Sequence, residues 1–250
     1  MSSIDCVLFD LGETLLHFGS VQIPPLFEAG SQLAYQYLKD LGFDLPEFRR
    51  YHKKKLFAIR WNYFLSTITG REMDALVILD RLHRRIGVKL SEAQTLELAS
   101  LWYEPLSRRA RIEPTAIQTL TELTEMGIRL GLVSNTFVPA EVLDRHLARE
   151  KLLDLLPVRV YSCQVGLRKP RRAVFQAALD KLGARAASTV FVGDSPKADV
   201  YGANRMGMVS VLLAPGDRRR TGRYRPRHTI RRLAELPDIV RANNNAASGS

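Results

Sequence analysis

Cysteine is scarce in this chain. Cys6 and Cys163 are the only two in 250 residues, too few for a disulfide framework. Both lie in apolar, strand-like stretches where a buried reduced thiol is expected. No apolar run reaches the ~18 residues that a bilayer span needs, and no charged-then-apolar leader precedes Ile4. These absences argue against a secreted scaffold and against a membrane partner; a cytoplasmic protein is the expectation. No internal repeat is visible.

What is present is an ordinary globular balance, 46% hydrophobic and 25% charged. The length suits one domain carrying a large insertion. Apolar runs at 4–9, 129–133, 158–162, 189–193 and 208–213 read as strands, those at 130–133, 190–192 and 209–213 as buried on both faces. Helical patterns separate them, with Gly127 and Gly183 as helix stops. Alternation of this kind predicts an α/β fold: a Rossmann-like parallel sheet with helices on both faces.

Residues 18–108 lack a convincing strand and predict an inserted, all-helical cap. Phe57, Trp61, Phe64, Leu65 and Ile68 form one apolar stripe there; Met73, Leu76, Leu79, Leu82 and Ile86 form another. Ser91 and Gln94 have the spacing of a capping box. The core is then expected over 1–17 and 109–240, with a final helix over 229–240 and a disordered tail over 241–250.

Four strand ends carry reactive side chains. Asp10 follows the first strand, and ligands of open α/β sheets bind beyond the carboxyl ends of strands. Ser134-Asn135 follows the second strand and offers a hydroxyl and backbone N–H groups. Lys169-Pro170 follows the third, with Pro170 expected in the first turn of a helix. Asp194 ends the fourth strand, and Asp199 falls early on the helix that Pro196 opens. Asp194 as a simple helix cap is the bland alternative, but it leaves Asp199 without a reason. Three converging carboxylates need a compensating cation, and hard oxygen ligands favour Mg²⁺. With a lysine and hydroxyl donors beside it, such a site suits a phosphoryl group.

The ordered set Asp10-Leu-Gly-Glu-Thr14, Ser134-Asn135, Lys169-Pro170 and Gly193-Asp194-x-x-x-x-Asp199 resembles the haloacid dehalogenase-like hydrolases, in particular phosphatase-type members with a helical cap. The resemblance runs in order from residue 4 to about 213. It implies a central first strand flanked by the second and fourth. It also implies Asp10 as nucleophile, Lys169 neutralising charge, and Ser134, with Asn135 and Thr14, binding substrate phosphate. Asp10, Asp194 and the Gly12 carbonyl would bind Mg²⁺, supported by Asp199; the partner would be a small phosphorylated substrate.

One position departs from that pattern. Most phosphatases of the family carry a second aspartate, the general acid and base, where this chain has Gly12. Glu13 or His17 could supply the proton, the substrates could have good leaving groups (acyl, aryl or anomeric phosphates), or turnover could be lost. The same departure raises a 2-haloacid dehalogenase as an alternative, although such an enzyme needs no metal and Asp194 and Asp199 would then only repel. The third alternative is a binding or regulatory protein built on the basic segment. Residues 217–232 hold eight arginines and one acid, +7 of the chain's +11, leaving +4 elsewhere. With Tyr224 as its single aromatic, the segment lacks a stacking platform for nucleic acid, and a solvated loop is the default reading. The cap run Arg49, Arg50, Lys53, Lys54, Lys55 and Arg60 reads as a wet helix face.

Overall fold

The computed structural model describes residues 3–19, 22–215 and 224–248. Strand β1 (Cys6–Phe9) leads into a tight turn and the two-residue β2 (Leu16–His17). Four helices follow: α1 (Ile23–Asp40), α2 (Phe48–Thr69), α3 (Ala75–Arg84) and α4 (Glu92–Arg109). The short β3 (Arg111–Ile112) pairs antiparallel with β2, so the two strands joining the helical cap to the core are tied together. Then come α5 (Ala116–Glu125), β4 (Arg129–Ser134), α6 (Ala140–Arg149), β5 (Val158–Tyr161), α7 (Ser162–Val165) and α8 (Arg172–Leu182). The chain continues through β6 (Thr189–Gly193), α9 (Tyr201–Met206), β7 (Val209–Leu213), β8 (His228–Ile230) and α10 (Leu236–Ser248).

Among the described residues the main sheet has the order β5-β4-β1-β6-β7-β8 and is parallel throughout. The buried apolar runs explain it, because helical crossovers cover both faces. Along β1 the side chains alternate between two cores. Val7 and Phe9 join the cluster containing Leu120, Leu143 and Leu236, whereas Leu8 joins Val174, Phe175 and Phe191 across the sheet. Each such large side chain, fully buried, contributes roughly 1.5–3 kcal/mol. Strand register positions the reactive ends. Phe9 lies opposite both Leu132 and Val192, so the residues after β1, β4 and β6 emerge side by side.

The cap is helical, and its local signals are those of the sequence. Ser91 and Gln94 form the reciprocal capping box, and Asp74 caps α3. Gly30 lets α1 lie against α4, since a Cβ there would stand 2.3 Å from the Trp102 carbonyl oxygen.

Several expectations change. The predicted helix over 229–240 begins only at Leu236, because Thr229 and Ile230 pair with Leu212 and Leu213 as an added edge strand. The predicted disordered tail is helical through Ser248; Asn244 is pinned to Ile4, accepting from its N–H at 2.6 Å and donating to its carbonyl at 3.0 Å. The apolar stripe of α2 faces outward, with Phe57 70% and Ile68 66% exposed. Tyr51, Lys55 and Ile59 occupy the inner face instead, so Lys55 is not part of a wet face. Cys163 is half-buried and lies in a short helix, not a strand, while Cys6 is fully buried; both are free thiols. Arg218, Arg219, Arg220 and Arg223 of the basic segment lie outside the described residues. Among the described residues no helix is long and apolar enough to cross a membrane.

Candidate active site

Asp10 is the first residue beyond β1, and its N–H donates to the Val192 carbonyl at 2.9 Å. That bond extends the β1–β6 ladder by one step and fixes the direction of the carboxylate. Lys169 arrives from the turn between α7 and α8. Pro170 is not in the first turn of α8, which starts at Arg172 behind an Arg171 cap; the extra residues let Lys169 reach back over the strand ends. Its Nζ lies 2.5 Å from Asp10 Oδ1, 2.8 Å from Asp199 Oδ1 and 2.8 Å from the Val133 carbonyl oxygen. Asp10 and the Val133 carbonyl accept hydrogen bonds from the ammonium, and Asp199 adds an ion pair. Burial works against the charged lysine, but the two carboxylates outweigh it and hold its pKa above the usual lysine value.

Asn135 holds the lysine in place. Its side chain accepts from the Lys169 N–H at 2.7 Å and donates to the Lys169 carbonyl at 3.1 Å. Asn135 also lines the cleft, so the amide that positions the lysine borders the substrate space as well. Thr14 departs from expectation: it is fully buried and does not line the cleft, and its hydroxyl has no hydrogen-bond partner among the described residues. The tight turn after Asp10, with Glu13 at φ 55°, rotates Thr14 inward.

Asp199 lies in a π-type turn, Pro196–Val200, and accepts from the Ser195 N–H at 2.9 Å. Gly193 permits this, because a Cβ there would stand 2.4 Å from the Asp199 carboxyl carbon. Asp194 is not the helix cap; the Ser195 hydroxyl accepts from Ala198 N–H in that role. The Asp194 carboxylate is left to face the cleft.

One ammonium cannot balance three carboxylates. Burial raises the Asp10 pKa most, Lys169 opposes it and Asp199 adds to it, leaving the group at about 6. Asp194 is pushed to about 7 by burial and by its repulsion from Asp10 and Asp199. One ligand oxygen from each of the three lies within 4.8 Å of the others. A compact all-oxygen set with uncompensated negative charge fits a hard divalent cation that retains some of its water.

The cleft encloses about 500 Å³. Ser134, Asp10, Lys169, Asp194 and Asp199 form its floor, with Gly12 beside them. Aromatic and aliphatic groups, Phe18, Tyr63, Tyr103, Phe137 and Leu143, make up much of the walls. Nothing in the local sequence marks these wall residues, because the cap brings them together over long chain separations. A Cβ at Gly12 would find only Phe18, at 3.8 Å. Glu13 accepts from the Phe18 N–H at 2.9 Å and lies 3.5 Å from His17, so its carboxylate is engaged in its own turn.

A second buried ion pair ties cap to core beside the Lys169 turn. Arg168 donates to Glu72 at 3.2 Å, and Glu72 also accepts from the Ser162 hydroxyl at 2.6 Å. Backbone bonds from Glu72 to Gly166 and from Arg168 to Gly70 reinforce the join.

Comparison with known proteins identifies the family. Residues 4–207 match the model of the haloacid dehalogenase-like hydrolases. Ribulose-1,5-bisphosphate 5-phosphatase of Halopiger xanaduensis is 27% identical over 245 residues, covering 94% of this chain and 98% of its own. Glyceraldehyde 3-phosphate phosphatase of Methanopyrus kandleri is 31% identical over 172 residues, 65% of this chain and 70% of its own. Among solved structures, a HAD phosphatase from Thermococcus onnurineus superposes with a TM-score of 0.60 at 27% identity, covering 95% of this chain and 98% of that one. A 2-haloacid dehalogenase from Pseudomonas syringae superposes with a TM-score of 0.63 at 22% identity, over 96% and 99% of the two chains, a likeness of fold. With its carboxylate floor, buried lysine and helical cap, this chain belongs to the haloacid dehalogenase-like hydrolases as a phosphatase-type member.

Proposed function

We propose that the protein hydrolyses small phosphorylated metabolites through an aspartyl-phosphate on Asp10, with Mg²⁺ as cofactor. The observation that carries this reading is the Lys169 ammonium held between Asp10 and Asp199, with Asp194 alongside, in the cleft at the strand ends. Asp10 and Asp194, with the Gly12 carbonyl, are the residues that would hold the ion, and Asp199 supports them through Ser195. When bound, the cation neutralises the phosphoryl oxygens and the surplus carboxylate charge.

The free oxygen of Asp10 attacks phosphorus while Lys169 keeps the carboxylate ionised and draws off phosphoryl charge. Ser134 lines the floor where a phosphoryl oxygen would rest. The phosphoryl group moves to Asp10, the leaving group departs with the P–O bonding pair, and water then cleaves the acyl phosphate.

Departure of the leaving group is the weak step. General acid catalysis typically contributes ~10²–10⁴-fold, and Gly12 has no proton to give. Phe18, the nearest side chain, is apolar, and Glu13 is held by Phe18 N–H and His17. Acyl, aryl and anomeric phosphates, whose leaving groups depart unprotonated, suit such a site best. The carboxylate cluster favours this chemistry over dehalogenation, which would gain nothing from two further aspartates near its nucleophile.

A panel of phosphorylated metabolites, extended to acyl and aryl phosphates, tests the proposal. Phosphate release by the wild type with Mg²⁺, lost in EDTA and in Asp10→Asn, is the expected result. Equal inactivity of wild type and variant on every compound, or release indifferent to EDTA, would refute it.

A further inference from the structure

A second cavity, of about 570 Å³, lies on the cap and shares no lining residue with the active cleft. Residues of α2 and the end of α3 enclose it, together with Pro46. Lys55 lines it and is 3% exposed. Its Nζ meets the Tyr51 hydroxyl and His83 Nε2 and lies 3.7 Å from the centre of the Tyr51 ring. None of these partners carries a negative charge.

The two buried lysines of this protein make a controlled contrast. Lys169 is 5% exposed and Lys55 is 3% exposed. Lys169 has two carboxylates against its ammonium; Lys55 has none, and no acid lines its cavity among the described residues. Burial accordingly lowers the Lys55 pKa well below the ordinary lysine range, with no charge opposing it. Burial without a counter-ion disfavours the ammonium form, and an anion entering the cavity would favour it.

The rest of the lining specifies what kind of anion. Lys53, Lys54 and Arg85 add three more cations, while Phe57, Trp61, Leu82 and Ile86 provide apolar wall. Phe57 and Trp61 are 70% and 53% exposed although large and apolar, so part of a ligand-sized hydrophobic surface stands uncovered. Pockets of this size with apolar walls and a few polar groups are typical small-molecule sites.

We propose that this cap cavity binds a small organic anion with an aromatic body, its acidic group against Lys55 and Arg85 and its ring against Phe57 and Trp61. Charge and shape act together: inorganic phosphate lacks the body, and a neutral aromatic lacks the charge.

Two dyes that share a body separate those terms. 8-Anilinonaphthalene-1-sulfonate carries an anion; N-phenyl-1-naphthylamine does not. With the full-length protein, the sulfonate should bind with one dye per chain and at least about tenfold more tightly than the neutral dye. Lys55→Met should weaken it about tenfold, and Arg85→Gln, an exposed substitution that does not threaten the fold, several-fold. Ile68→Ser, on the outer face of α2 but outside the cavity, should leave binding unchanged. Equal affinity for the two dyes, indifference to Arg85→Gln, or loss of binding in Ile68→Ser would overturn the proposal. Hydrolytic activity does not enter the readout, so the test stands apart from the active-site reading.

Discussion

Lys169 and Asp10, 159 residues apart in the chain, meet at 2.5 Å in a buried ion pair at the end of the central strand. Asp199 completes the arrangement from the other side, 2.8 Å from the same ammonium. In the proposed mechanism the pair neutralises the nucleophile; it is also a condition for the fold, since removing one member strands the other charges.

Lys169→Met should therefore destabilise as well as inactivate. Breaking a buried pair by deleting one partner costs about 3–5 kcal/mol. The loss, read from urea unfolding in EDTA, should be greater at pH 8 than at pH 5, because Asp10 and Asp194, with pKa values near 6 and 7, shed their repulsion by protonating as pH falls. Mg²⁺ should restore part of it at pH 8. A variant as stable as the wild type at pH 8 in EDTA would show that the lysine is not balancing those carboxylates.

The missing proton donor should be visible in the kinetics. Rates with Mg²⁺ across phosphate esters are expected to fall steeply as leaving-group pKa rises. Gly12→Asp should lift the poor substrates selectively, since the nearest atom to a Cβ at that position is Phe18 Cε2 at 3.8 Å, and a recovered acid is worth ~10²–10⁴-fold. A flat wild-type dependence under conditions where chemistry limits turnover would mean that another group donates the proton.

Gly193→Ala tests the close approach of Asp199. The added methyl would sit 2.4 Å from that carboxyl group, so the π-type turn must shift. We expect about 1–3 kcal/mol of destabilisation, the usual range for overpacking, together with weaker Mg²⁺ binding by calorimetric titration. Unchanged stability and metal affinity would show that Asp199 does not need its present position.

Two buried histidines predict acid sensitivity away from the active site. Burial lowers His83 from 6.5 to about 3, helped by Lys55, and lowers His146 to about 4, helped by Arg149. Between those values and 6.5 the unfolded chain binds more protons than the folded one, so stability falls as pH drops through that window. Each pH unit of displacement is worth about 1.4 kcal/mol. Urea midpoints should decline from pH 7 to pH 4, and a His83→Gln/His146→Gln variant should decline less. Parallel curves would exclude the histidines as the cause.

Strand and helix alternation was readable along the chain because parallel strands buried on both faces are continuous apolar runs and helices repeat near every fourth residue. Helix signals that depend on immediate neighbours, such as the Ser91–Gln94 box, were equally legible. Where neighbours were not enough, the sequence misled. Thr229-Ile230 reads as helix because its pairing partner, Leu212-Leu213, is remote. The α2 stripe reads as core, yet Tyr51, Lys55 and Ile59 face inward, because α1 and α3 decide which side is covered.

By itself the amino-acid order determined which reactive groups end up at strand ends: Asp10, Ser134 and Asp194 each follow or close an apolar run, and backbone hydrogen bonding does the rest. Only the tertiary structure decided their company. It turned Thr14 inward, committed Asn135 to the Lys169 backbone, surrounded the cleft with Phe18, Tyr63 and Phe137, and left Lys55 buried without a counter-ion. Charge balance and burial are sums over neighbours in space, and no stretch of chain contains them.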